Sequence, residues 1–146
     1  MNIDTGTNFE GAPEDHYTWY GANGDFWGDQ VAWLEADLKA ANEQRGTRPW
    51  IMVGGHRPIY SLHDADDKGN PTAFAQSLQV AIEGLLHKYK VDVYWCGHVH
   101  GYERQWPVFD NTNIEVGASY TDPLYTVHIV NGAAGNDGAN ELAFMM

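Results

Sequence analysis

Val91-Asp92-Val93-Tyr94-Trp95-Cys96-Gly97-His98-Val99-His100-Gly101-Tyr102-Glu103-Arg104 is an apolar run broken by a glycine, with two histidines directly after the break. A run this short, ended by Gly97, predicts a buried strand whose following loop begins with the histidines. The same arrangement occurs upstream. Trp50-Ile51-Met52-Val53 predicts a second buried strand, stopped by Gly54-Gly55 and followed at once by His56.

Between these strands, Phe74, Leu78, Ile82, Leu85 and Tyr89 form the apolar stripe of a helix, with Thr72 as its cap and Gly84 a weak point inside it. Ahead of the first strand, Val31, Leu34, Leu38 and Ala41 recur at helical spacing from Asp29 onward, and Gly46 is the stop. A further strand is predicted at about 124–130, and Gly132 to Gly138 reads as a glycine-rich turn. Residues 1–28 read mainly as loop and 29–146 as a helix-strand-helix-strand core, which makes the chain one α/β layered domain.

At 146 residues the chain has room for one core. Eight basic against twenty acidic residues give a net charge of -12. That surface repels nucleic acid and anionic lipid, so neither is an expected partner. It repels phosphate esters too, so phosphate chemistry here would need added cations, most simply metal ions. Cys96, the sole cysteine, excludes an internal disulfide and a cysteine-rich zinc site. It reads as a buried thiol. The residues from Met1 to Gly6 do not read as a signal peptide, and no apolar stretch reaches membrane-spanning length.

Ligands in open α/β sheets gather where strands end. Two strand ends carrying His56, His98 and His100 would set three imidazoles on one rim. In extended backbone, residues two apart point the same way, so the His-x-His rings could face one centre, and imidazole suits zinc, iron and similar ions. A lone His-x-His is common by chance, and a single histidine at a strand end is more often a hydrogen-bonded turn residue. The company of His56 and of Tyr102-Glu103-Arg104 favours the site. His16, His87 and His128 read as ordinary loop, helix and strand residues. Core packing is the default for Trp33, Trp50 and Trp95.

Gly97–Arg104 resembles the purple acid phosphatase motif GHxHxYER, and Gly55-His56-Arg57-Pro58-Ile59-Tyr60-Ser61 resembles that family's upstream histidine motif. Trp33–Leu38 is similar to its helix before that strand, and Gly132-Ala133-Ala134-Gly135-Asn136 to its glycine-rich segment after the site. The resemblance implies part of a metallophosphoesterase layered α/β/β/α sandwich with mixed sheets. It implies that His56 and His98 bind a divalent ion (Zn2+, Mn2+ or Fe2+) and that His100 binds Fe(3+). His63, seven residues past His56, sits where the family often has an outer histidine that contacts phosphate or protonates the leaving alcohol. Glu103 and Arg104 read as supporting residues. The implied reaction is hydrolysis of phosphate monoesters at acid pH, with a small phosphate ester as substrate. Family members are commonly secreted, vacuolar or lysosomal.

The family's GDxG, GDxxY and GNH motifs have no counterpart. Gly24-Asp25 and Gly28-Asp29 lack the tyrosine, and Gly69-Asn70 and Gly135-Asn136 lack the histidine. The expectation is a partial catalytic domain holding the histidine half of a dinuclear site, with an upstream half as its partner. The alternatives are a non-catalytic domain binding at most one metal, or a related enzyme acting on diesters or nucleotides. Tyr102-Glu103-Arg104 favours the purple acid phosphatase branch over the last.

Overall fold

The computed structural model describes residues 2–3, 30–66, 70–117, 120–133 and the backbone of 144–145. Of the 1–28 segment expected to be mainly loop, residues 4–28 with His16 lie outside the described residues, as does most of the Gly132–Gly138 turn.

Helix α1, Gln30–Glu43, buries Leu34 and Leu38. Strand β1 is Met52–Gly54. A long helical run follows in three parts: α2, Ala73–Leu78; a π-helical turn, Gln79–Glu83; and α3, Gly84–Lys88. Then come β2, Val93–Cys96, β3, Tyr102–Arg104, a small hairpin of β4, Val108–Phe109, and β5, Asn113–Ile114, then β6, Val127–Asn131, and β7, Phe144–Met145. The main sheet runs β1-β2-β6-β3-β7. Its first three strands are parallel, and β3 turns antiparallel against β6. The sheet is therefore mixed, as the family resemblance implies.

Register decides what faces what. Val53 pairs with Tyr94, Tyr94 with His128 and Cys96 with Val130, which pairs in turn with Glu103. Strand residues two apart share a face, so these side chains lie on one side of the sheet. There Val53, Tyr94, Cys96 and Val130 join Leu34, Leu38, Leu78, Ile82 and Leu86 in a single core. Among the described residues the opposite side is open, and it corrects the sequence reading of the tryptophans. Trp50 is 74% exposed and Trp95 43%, with Met52 beside them at 51%. Among the described residues both helical runs sit on the Tyr94 side, so apolar character here does not signal burial. Trp33, 49% exposed, sits one position off the Leu34–Leu38 stripe of α1.

The helix stripe also shifts. Leu86, not Leu85, is the buried apolar position after Ile82. A π turn holds one residue more than an α turn, so the inward position moves along by one. Thr72 caps this run as its sequence position predicts, its Oγ1 accepting the Ala75 amide at 3.3 Å. Thr72→Ala should cost about 1 kcal/mol, and Thr72→Ser should recover most of it. Urea unfolding of the three proteins checks this.

Candidate active site

Strands β1 and β2 stay bonded past their ends. Gly55 N–H donates to Trp95 O at 2.9 Å, and Gly97 N–H donates to His56 O at 3.0 Å. This ladder is what brings His56 and His98 together. Their ring centroids lie 5.1 Å apart and nearly perpendicular, with His98 Nδ1 3.2 Å from His56 Nε2.

The His-x-His segment is not extended, which corrects the period-two argument. His98 adopts φ 65. Val99 N–H then donates to Gly97 O, and Gly101 N–H to Val99 O, so the loop coils in two-residue steps. Histidine tolerates left-handed backbone better than most residues, and such strain concentrates at functional sites. His98 itself, and not Gly97, takes the left-handed turn. His100 is exposed. Among the described residues no three His, Cys, Asp or Glu groups stand close enough together to hold a metal ion.

Arg57 explains how the two rings are held. Its guanidinium rests on the Phe74 ring, 4.3 Å from the centroid, and Nη1 lies 2.8 Å from His98 Nε2. Arginine only donates, so His98 Nε2 accepts. The His98 proton is then on Nδ1 and points at His56 Nε2. Burial first, then the charge of Arg57, pushes the His98 pKa down to about 4. The donors are of the right kind for zinc or iron, but both facing lone pairs are engaged. An ion at His98 Nε2 would have to displace Arg57.

His63 is held elsewhere. Its Nδ1 lies 2.8 Å from Glu103 Oε1. Glu103, only 2% exposed, also accepts from Ser61 Oγ at 2.8 Å, from the Leu62 amide at 3.0 Å and from Gln105 Nε2 at 2.8 Å. Burial alone would raise its pKa. The donors of His63, Ser61 and Leu62 outweigh burial and hold the carboxyl below its ordinary value. Glu103 is thus a buried anion tying the 61–63 segment to β3.

Sequence reasoning gave Arg57 and Ser61 no role. The available signal was weak: a basic residue directly after a strand-end histidine, in a chain with only eight basic residues. Cys96 is buried as expected, and burial pushes its thiol up to about 12. His87 lies in the last turn of α3 and stacks on Phe109 at 4.2 Å. His128 is in a strand as expected and fully enclosed.

Comparisons with known proteins agree with the motifs. The family described as calcineurin-like phosphoesterase matches residues 5–102. Acid phosphatase type 7 of Mus musculus is 42% identical over 113 residues, covering 73% of this chain and 26% of that protein. Purple acid phosphatase 22 of Arabidopsis thaliana is 37% identical over 116 residues, covering 80% of this chain and 23% of that protein. Among solved structures, the purple acid phosphatase PPD1 from yellow lupin seeds superposes with a TM-score of 0.52 at 27% identity, covering 73% of this chain and 19% of that one. The chain therefore spans about a quarter of the length of the curated relatives it matches.

Proposed function

Because this chain belongs to the calcineurin-like phosphoesterase family, we propose that it takes part in hydrolysing phosphate monoesters at acid pH. The observation that carries the reading is the meeting of the His56 and His98 imidazoles at the ends of two adjacent parallel strands, 3.2 Å apart. It is supported by relatives named acid phosphatase and purple acid phosphatase, a family that implies a dinuclear metal centre.

The finer proposal assigns His56 and His98 to a divalent ion (Zn2+, Mn2+ or Fe2+) and His100 to Fe(3+). Three imidazoles fit a share of such a centre and not the whole. Two ions about 3.5–4 Å apart need a bridging carboxylate and anionic donors, and among the described residues none joins these rings. The work we assign to this chain's own residues is orientation and proton handling. The ladder at Gly55 and Gly97 fixes the two rings relative to each other. His63, seated on Glu103, holds the proton that the departing alcohol takes.

The test is a chimera in which residues 30–133 replace the matching segment of a purple acid phosphatase relative, assayed with p-nitrophenyl phosphate. Turnover should appear and fall at least a hundredfold in the His56→Ala chimera. A folded, metal-loaded chimera whose turnover ignores His56 would end this reading. The chain by itself, given iron and zinc, should stay colourless and turn over no faster than its own His56→Ala variant. A second reading follows from the same lack of a three-donor group among the described residues: a non-catalytic domain binding at most one ion. Binding of one Zn2+ that weakens in the His56→Ala variant, together with an inactive chimera, would favour it.

A further inference from the structure

We propose that Glu103 is the positioning residue of His63, fixing both the ring's place and its tautomer. The inference rests on the reading of His63 as a proton donor and adds what holds that donor in working order.

The geometry is specific. A buried carboxylate needs several donors, because each unmatched lone pair in a low-dielectric site is costly. Glu103 finds donors on one short segment. Ser61 Oγ and His63 Nδ1 both approach Oε1 at 2.8 Å, while the Leu62 amide approaches Oε2 at 3.0 Å. The His63 amide lies farther out, 3.5 Å from Oε1. Gln105 Nε2 supplies a second donor to Oε2 at 2.8 Å. Both oxygens are therefore saturated with donors, and three consecutive residues are pinned to β3 as a unit.

Tautomer follows from charge. An ionised carboxylate is acceptor-only, so the nitrogen facing it must carry hydrogen. In neutral His63 that hydrogen is on Nδ1 and Nε2 bears the lone pair. When the ring takes a second proton, that proton is on Nε2, the nitrogen turned from Glu103. A donor to a leaving alcohol needs this arrangement: a fixed N–H on the anchored side and the transferable proton on the other. Burying a carboxylate merely to hold a loop would not require a histidine ring nitrogen among its donors.

Glutamine is the informative replacement. Whichever way its amide turns, an NH2 group replaces one saturated oxygen and meets the donors that oxygen accepted. The Leu62 amide can only donate, so the glutamine carbonyl stays on that side, the NH2 faces Ser61 Oγ and His63 Nδ1, and the orienting bond to Nδ1 is lost.

The experiment is nitrogen-15 NMR of the histidine rings in this chain without added metal, at a pH where His63 is neutral. His63 should show a protonated, pyrrole-like Nδ1 and a pyridine-like Nε2. In Glu103→Gln the two signals should move toward each other as the tautomers mix. In Ser61→Ala, which removes a different donor from Oε1, the Nδ1–H form should persist. A pyridine-like Nδ1 in the unsubstituted chain overturns the proposal, and so does an unchanged tautomer in a folded Glu103→Gln. Should that variant not fold, the unsubstituted chain still decides. This readout is independent of turnover: an inactive chimera with the Nδ1–H form intact would count against the hydrolase reading and leave the role of Glu103 standing.

Discussion

Gly132→Ala is expected to destabilise the chain by about 3 kcal/mol, the upper part of the usual overpacking range, and to dislodge the His98–His100 loop. Gly132 follows β6 and donates its amide to Gly101 O at 3.1 Å. A Cβ placed there would lie 2.1 Å from the Val99 carbonyl oxygen and 2.9 Å from its carbon. Both atoms are backbone, so no rotamer change relieves the contact. The constraint is one of space, and only glycine lets the two segments approach so closely. The loop that must retreat carries His98 at φ 65 and the ring contact with His56. Urea unfolding should show a midpoint lower by roughly 1–2 M at an ordinary slope. Histidine ring signals should show His56 and His98 separated. An unchanged midpoint with both rings still in contact would mean that the loop is not packed against Gly132.

How much of this could be read from the sequence differs by element. The two strand-end histidines were legible because each follows a short apolar run cut by glycine, and the pairing of β1 with β2 needed no more than that. The coil at His98 was not legible. His-x-His suits an extended segment, and nothing local announces that the histidine and not the adjacent glycine takes the left-handed turn. Which sheet face the helices cover was equally hidden. Met52 and Trp95 are apolar on the open side, Val53 and Tyr94 apolar on the closed one, so alternation gave no polar face to mark solvent. The phase slip at Leu86 follows from the π turn over Gln79–Glu83, whose extra residue a regular periodicity cannot foresee. Glu103 was recognisable as part of a motif. Its partners Ser61, Leu62 and His63 lie about forty residues away in sequence, and only the fold reveals that they share it.

His128 should make the chain progressively less stable as the medium becomes acid, and His128→Leu should remove that share of the loss. The ring is 1% exposed, set between Tyr60 at 4.8 Å and Tyr94 at 5.6 Å. Among the described residues neither ring nitrogen has a hydrogen-bond partner. Burial pushes its pKa from 6.5 down to about 3. The native state therefore refuses a proton that the unfolded chain accepts below pH 6.5. Stability from this group is complete above that value, declines by about 1.4 kcal/mol per pH unit below it, and levels off near pH 3. The full loss approaches roughly 5 kcal/mol. Other groups titrate in the same range. Burial raises the pKa of Glu83, which accepts from Tyr60 Oη and the Asp110 amide, so acid favours the fold through it. The donors on Glu103 lower its pKa, so acid works against the fold there. Both are present in either protein and cancel in the difference. At pH 7 the leucine variant should match or exceed the native chain, since it removes two buried nitrogens that have no partner among the described residues. By pH 4 it should be ahead by about 3 kcal/mol. Parallel stability profiles for the two proteins from pH 7 to 4 would show that the His128 ring meets water or a partner after all.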